Sequence, residues 1–280
     1  VLSIALMLIV VSTVVLSQER EDTLLREAGR RFQSGDYELA DSLFSRYISD
    51  YPDGRRISEA FFHRAVIAYK LGEYEDALQK IENYISRFPG YSPQKPVFFW
   101  RGCILYQLQE YKRAAADLGV FLLSAEDRQY IQKALLFKGM SEIKLGNDAK
   151  ALEFLERAVE TLTNRDEKAF AAVKLLALLS RQGKYGTIRE LLLGKLASLD
   201  FGSYAAYRNL YLAEALWEGG EKDRAANLYT VMIQEEIPEK IAVIPFKRLF
   251  SLYQGESQEE ELQLLVEKAE LQLAHMPNVL

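Results

Sequence analysis

The segment Tyr69-Lys-Leu-Gly-Glu-Tyr74 decides the fold, because it recurs along the chain in register. Two clear copies are Phe32-Gln-Ser-Gly-Asp-Tyr37 and Ser180-Arg-Gln-Gly-Lys-Tyr185. The position of Gly72 has equivalents every 37 residues, at Gly35, Gln109, Gly146, Gly183 and Gly220. Copies at a fixed period of this length are typical of a solenoid, in which each repeat is one supersecondary unit stacked on the next.

Each turn position lies between two stretches with helical periodicity. Before the second turn, apolar residues recur at Phe61, Ala65 and Ala68, and a similar run follows the turn. The residue that follows the end of a helix often has a left-handed backbone conformation. Glycine adopts this conformation at little cost because it has no Cβ. Gln109 lacks that freedom, so we expect its turn to be less favourable. The pattern predicts an all-α chain of helical hairpins, each with a helix A, a turn and a helix B.

The positions after the turn resemble the tetratricopeptide repeat family. The family's early helix-B alanine falls at Ala40, Ala77, Ala114, Ala151 and Ala225, with Ile188 as the one departure. The usual repeat has about 34 residues, so each 37-residue copy carries three more, which we expect between one hairpin and the next. The resemblance implies a right-handed α-α superhelix of about six to seven 37-residue hairpins, with a concave protein-binding groove along the A helices.

Two copies resemble a narrower subset of that family. Asp41-Ser-Leu-Phe-Ser-Arg-Tyr-Ile-Ser-Asp-Tyr-Pro52 and Gln79-Lys-Ile-Glu-Asn-Tyr-Ile-Ser-Arg-Phe-Pro89 place Tyr47 and Tyr84 where most members have alanine. This is similar to bacterial envelope proteins of the outer-membrane assembly lipoprotein and Tol–Pal partner type. The resemblance implies a non-enzymatic interaction scaffold of the cell envelope. The alternatives are a non-catalytic helical arm of a larger envelope enzyme and a membrane-anchored assembly factor.

The chain divides into three parts by this pattern. Residues 1–17 are a signal peptide or membrane anchor, 18–240 hold six tetratricopeptide-like repeats, and 241–280 form a degenerate seventh hairpin with a polar C-terminal cap. We expect the last hairpin to begin at Pro245 and to turn at Gly255.

The N-terminal part is uncharged from Val1 to Leu16, and charge arrives at Glu19. This length is that of a signal-peptide apolar region and is short for a membrane span. The prediction is an exported, periplasmic protein cleaved before Gln18. The alternative is anchoring to the inner membrane by residues 1–17, and a third interpretation is a buried helix.

The A-helix positions of the family groove are mostly apolar or aromatic here. The residues expected to line the groove are Phe32, Phe62, Tyr69, Phe99, Tyr106, Met140, Ile143, Tyr207 and Trp217. Such a surface suits a protein segment or peptide with apolar anchors. It lacks the Lys and Asn clamp for acidic tails, because Leu25 and Gly29 occupy the first clamp positions. The competing interpretation is that the aromatic stripe is core.

Other classes of function find little support. A net charge of −5 and a pI near 5.4 argue against nucleic-acid binding. The chain has one cysteine, Cys103, and two histidines, His63 and His275, and no phosphate-binding or protease motif. The sequence therefore predicts no catalytic residue, no metal site, no cofactor and no membrane contact beyond an uncleaved N-terminal segment.

Overall fold

A computed structural model of the protein describes residues 2–89, 96–235, 237–255 and 258–273, with side chains from residue 18 to residue 271. These ranges contain fourteen α-helices and no strand, so the all-α prediction is confirmed. The A helices are α1 (Leu2–Gln33), α3 (Ile57–Leu71), α5 (Val97–Gln107), α7 (Arg128–Lys144), α9 (Arg165–Arg181), α11 (Ala205–Glu218) and α13 (Glu239–Gly255). The B helices are α2 (Tyr37–Asp50), α4 (Tyr74–Arg87), α6 (Tyr111–Ser124), α8 (Asp148–Thr161), α10 (Tyr185–Leu193), α12 (Lys222–Met232) and α14 (Glu259–Leu273).

The turn between helices A and B is closed by the same backbone hydrogen bond in every hairpin. In each, an amide donates to a carbonyl oxygen five residues earlier at 2.9 to 3.0 Å; the donors are Asp36, Glu73, Glu110, Asn147, Lys184, Glu221 and Gln258. This bond belongs to the Schellman motif, which needs a left-handed residue just before the donor. Gly72 has φ 81°, and Gln109, with φ 63°, is the one non-glycine residue of the described chain with positive φ. The predicted turns at positions 35 to 220 are confirmed.

The seventh hairpin keeps the 37-residue register, but the predicted boundaries are wrong. Gln258 stands 37 residues after Glu221 and donates to Tyr253, so the turn follows Gly255, which is the last residue of α13. The helix begins at Glu239, and Pro245 lies inside it. Residues 274–280, predicted as part of the cap, lie outside the described residues.

The helices form two compact units, Val1–Asn147 with α1 to α7 and Asp148–Leu280 with α8 to α14. Within the first unit α3 contacts α5, and α5 contacts α7; within the second, α9 contacts α11, and α11 contacts α13. No two B helices of the described chain are in comparable contact. Since the A helices lie closer together than the B helices, the A-helix side is the concave side of each unit.

The core of the first unit lies among the two helices of one hairpin and helix A of the next. The early helix-B residue is fully buried in six copies, including Ile188. Tyr47 is also fully buried, and its hydroxyl donates to Glu21 Oε1 at 2.5 Å. Gly54 leaves room for this pair, because a Cβ there would lie 2.6 Å from the Tyr47 hydroxyl. Tyr84 is 3% exposed. The two tyrosines that mark the envelope subset are therefore core residues.

The three additional residues per repeat are accommodated in two ways. The link from α2 to α3 spans residues 51–56, as expected for residues placed between hairpins. The links from α6 to α7 and from α8 to α9 have only residues 125–127 and 162–164. There the expectation is wrong, because α7 and α9 extend to 17 residues and take up the additional length.

The predicted role of residues 1–17 concerns side chains outside the described part of the chain. Among the residues that were described, no helix is both long and apolar enough to traverse a bilayer.

Candidate functional site

The A helices of the first unit carry seven of the nine predicted groove residues. Three of them are aromatic residues that stand three residues before the turn position, and we call this set the hinge aromatics: Phe32, Tyr69 and Tyr106. Each packs against the aromatic residue that begins its own helix B. The ring centroids lie 5.8 Å apart for Phe32 and Tyr37, 5.7 Å for Tyr69 and Tyr74, and 5.5 Å for Tyr106 and Tyr111.

Each hinge aromatic also reaches the next A helix, always at the residue 31 positions further on. The centroids are 5.0 Å apart for Phe32 and His63, 5.4 Å for Tyr69 and Trp100, and 5.4 Å for Tyr106 and Phe137. The last two are edge-to-face, and such contacts stabilise by about 0.5–1.5 kcal/mol beyond burial. The hinge aromatics thus hold three helices together, yet each remains partly accessible to solvent.

Other predicted groove residues are more enclosed. Phe99 is only 2% exposed and packs against Phe121 and Tyr130, with centroids 5.7 Å and 5.0 Å away. It offers no surface to a partner, because α6 and α7 pack against its ring. Phe62 is half-buried against Tyr84, at 5.6 Å.

Helix α7 contributes the last two predicted groove residues of the first unit. Met140 and Ile143 are half-buried there. Both therefore leave some apolar side-chain surface accessible on the last A helix of this unit.

Two lysines, Lys70 and Lys133, add positive charge to the A-helix side of the first unit, which we call the A-helix face. The ammonium of Lys70 stands 5.4 Å from the centroid of the Trp100 ring, a cation–π contact. Burial lowers the pKa of Lys70, and the charge of Lys133 lowers it further. Burial raises the pKa of the Cys103 thiol, and the charges of the same two lysines oppose that increase. Burial also raises the pKa of the neighbouring Tyr69 to about 12.

The second unit contains the other two predicted groove residues, Tyr207 and Trp217, both half-buried. Two cations cover the Trp217 ring: Lys222 Nζ lies 5.4 Å and Arg248 Cζ 5.1 Å from its centroid. Arg248 also donates two hydrogen bonds to Glu214, at 2.9 and 2.7 Å.

This arrangement leaves less of Trp217 for a partner than the sequence suggested. The sequence analysis did not single out Arg248. Its separation of 31 residues from Trp217 was the available signal, because the same separation joins each hinge aromatic to the next A helix.

Cys103 and His63 do not form a nucleophile pair. Cys103 is 1% exposed, and burial raises the pKa of its thiol, which disfavours the thiolate needed for attack. The ring of His63 stacks on Phe44 at 5.0 Å, and its buried Nδ1 has no hydrogen-bond partner in the described chain. Burial lowers the pKa of His63, opposed by Glu59 and reinforced by Arg56. No group of three metal-binding side chains occurs among the described residues.

Comparison with known families supports the two resemblances seen in the sequence. Residues 17–136 match a family described as an outer membrane lipoprotein. Residues 132–161 match the tetratricopeptide repeat. The resemblance to the tetratricopeptide family and to its envelope subset is therefore confirmed. A search of curated proteins finds no match.

Solved structures confirm the fold. The C-terminal part of a tetratricopeptide-containing protein of Cytophaga hutchinsonii has a TM-score of 0.68 and 15% identity, covering 91% of this chain and 97% of that one. PilF of Pseudomonas aeruginosa has a TM-score of 0.58 and 18% identity, covering 78% and 92%. A tetratricopeptide protein of Parabacteroides merdae has a TM-score of 0.54 and 16% identity, covering 90% and 93%. The chain is thus a tetratricopeptide-type solenoid.

Proposed function

We propose that this tetratricopeptide-type chain is a non-catalytic protein-interaction scaffold of the bacterial cell envelope. In this proposal it holds a partner segment on the A-helix face of the first unit. The observation that carries the proposal is the row of hinge aromatics there, fixed by ring contacts on two sides and still partly accessible. Because these rings are already ordered, binding on them costs little side-chain entropy.

The partner segment is proposed to combine apolar residues with a carboxylate. Among the hinge aromatics, Tyr69 and Tyr106 have ordered rings that can pack against apolar side chains of a partner, and their hydroxyl groups can remain in contact with water. Lys70 lies over Trp100 and pairs with no carboxylate among the described residues, and Lys133 adds to the positive charge nearby. An acidic residue next to the anchor would relieve the repulsion between these lysines.

Export to the envelope rests on two features. The family matched by residues 17–136 is described as an outer membrane lipoprotein. Residues 1–16 are uncharged, as in a signal peptide. We propose a periplasmic location after cleavage, with retention at the inner membrane by residues 1–17 as the alternative. N-terminal sequencing of the mature protein distinguishes them, because a chain that starts at Gln18 has been cleaved.

Site-specific photo-crosslinking tests the binding face. A photo-reactive residue is placed at Gln33 or Gln107, which are exposed and directly follow a hinge aromatic, or at Gln79 or Asn83, which are exposed on helix B. Crosslinks in envelope fractions are expected from the first pair and not from the second. The reverse pattern would contradict the proposed face.

A charge reversal then tests the chemistry of the site. Lys70→Glu is expected to abolish the crosslink made from Gln107, because it repels the partner's carboxylate. The circular dichroism spectrum should not change, since Lys70 is exposed at the end of α3. The double change of Tyr69 and Tyr106 to alanine is a poorer test, because it removes contacts between three helices.

A further inference from the structure

The outer side of helix α6 is apolar where the neighbouring B helices are polar. Its exposed residues Ala116, Val120 and Leu123 stand one turn apart, and we call them the outer stripe. Val120 is 40% and Leu123 87% exposed. The equivalent residues are Gln79, Asn83 and Ser86 in α4, and Glu153, Arg157 and Glu160 in α8. Among the described B helices, only α6 has an apolar residue at all three positions.

The rest of α6 shows the same excess of apolar side chains. From Ala114 to Leu123 the one polar residue is Asp117, which is 8% exposed. It accepts two hydrogen bonds from Arg101, at 2.6 and 2.8 Å. The helix therefore holds its carboxylate on the inside and apolar side chains on the outside. Since a helix that is apolar all round is normally buried all round, the outer stripe has the composition of an interface.

The outer stripe is complementary to itself when one copy is turned end for end. Its midpoint lies between Gly119 and Val120. An antiparallel α6 of a second copy would therefore place Leu123 opposite Ala116, and Val120 opposite its own equivalent. At both ends of the stripe the large leucine would fill the space above the small alanine, as close packing requires. A parallel pair would instead place alanine opposite alanine and leave a gap there.

The charges that flank the stripe favour the same arrangement. Lys112 lies one turn before Ala116, and Glu126 follows the end of the helix. Both are exposed, and neither forms an ion pair within the described residues. In the antiparallel pair, Lys112 of each copy comes close to Glu126 of the other, and opposite charges across an interface are favourable.

The other charged groups near the two ends leave this pairing intact. Arg113 donates to Glu82 of α4 and to Glu110, at 2.8 and 2.7 Å. This group lies on the α4 side, because successive helical residues point about 100° apart. At the other end, Asp127 and Arg128 are adjacent and of opposite charge, so together they add no net charge.

We propose that the chain forms a two-fold symmetric dimer through the outer stripe, with α6 antiparallel to α6 of the second copy. Two helices of 14 residues bury less surface than the roughly 1,200 Å² of the smallest stable interfaces, so the expected dissociation constant is micromolar. The stripe lies on a helix B, so the A-helix face of each copy stays free. If that face binds partner segments as proposed above, the dimer binds them with added avidity. The dimer itself does not depend on that function.

Sedimentation velocity of the purified full chain over a range of concentrations measures the self-association. Val120→Lys is expected to weaken it about tenfold or more, because two like charges would meet at the two-fold axis. Asn83→Lys is the matched control, since Asn83 is the exposed equivalent of Val120 in α4. It should change the dissociation constant by less than about twofold. Circular dichroism spectra of both variants should equal that of the unmodified chain, because both positions are exposed.

Disulfide crosslinking tests the antiparallel register. Val120→Cys alone should give a disulfide-linked dimer under mild oxidation, and Cys103 does not interfere because it is buried. Ala116→Cys and Leu123→Cys should give little crosslinked dimer separately. Mixed together they should crosslink, because the antiparallel pair places these two positions opposite each other.

Three results would overturn the proposal. One is a monomer at every concentration, with no crosslinked dimer of Val120→Cys. Another is an equal loss of self-association in Val120→Lys and Asn83→Lys, which would assign the contact to the outer side of the hairpins in general. The third is a crosslink from Val120→Cys to a different protein in envelope fractions, with none to a second copy, because the occupant would then be a partner.

Discussion

Replacing Gln109 by glycine is expected to stabilise the first unit. Gln109 has φ 63° at the third turn, where the other five turns from position 35 to position 220 have glycine. A side-chain-bearing residue in the left-handed region costs about 1–2 kcal/mol. Glycine loses about 0.5–1 kcal/mol more backbone entropy on folding. The difference predicts a gain of about 0.5–1 kcal/mol in the free energy of unfolding.

The reciprocal substitution is the matched control for this prediction. Gly72→Gln makes the same change in the opposite direction one repeat earlier, and a Cβ at Gly72 meets no atom within 4 Å. Its cost is therefore purely conformational and should be of similar size. Urea denaturation followed by far-ultraviolet circular dichroism measures both. If Gln109→Gly lowers the free energy of unfolding, the glutamine side chain makes a favourable contact and the reasoning from backbone strain is refuted.

Three further substitutions or probes test the core. Gly54→Ala should lower the free energy of unfolding by about 1–3 kcal/mol, because the new methyl group collides with the hydroxyl of Tyr47; Gly186→Ala, which meets no atom within 4 Å, should not. His63→Phe should stabilise the protein more at about pH 5 than at about pH 8 in urea titrations. Burial lowers the pKa of this histidine, so the unfolded chain takes up a proton below about pH 6.5 while the folded chain does not, and stability is lost as the pH falls. An equal gain at both pH values would contradict this. Cys103 should react with a disulfide reagent at the rate of unfolding, because its thiol is buried; rapid reaction of the folded chain would mean that the A helices open.

Local patterns in the sequence were sufficient to predict the helical hairpins and the positions of their turns. The residue at the turn and the small residue early in helix B act within one hairpin, so their spacing predicts the turn directly. Ile188 and Gln109 depart from the pattern, and both still occupy the expected structural positions. The predicted seventh turn at Gly255 is wrong because a glycine alone does not define a turn; the backbone hydrogen bond of Gln258 instead follows the 37-residue period.

The exposure of the aromatic residues was not predictable in the same way. Phe99 and Tyr69 belong to the same stripe, yet Phe99 is buried and Tyr69 remains partly accessible. That difference depends on how closely neighbouring A helices approach, which is a property of several hairpins together. Likewise, the sequence period places Arg248 near Trp217, but only the packing of α13 on α11 brings its guanidinium over the ring.

Helix A is longer in some repeats than in others, and side chains at its N-terminus account for the difference in two of them. Asp127 and Asn164, 37 residues apart, accept hydrogen bonds at 2.9 Å from the amides of Gln129 and Glu167. These side-chain caps satisfy amides that have no partner within the helix, which stabilises a helix start by about 1 kcal/mol. Where the caps occur, the additional residues join helix A. In the link before α3 no side chain caps the helix, and the additional residues stay between hairpins. At α7 and α9 the capping residues therefore mark where helix A begins, and with it the extent of the A-helix surface in those two hairpins.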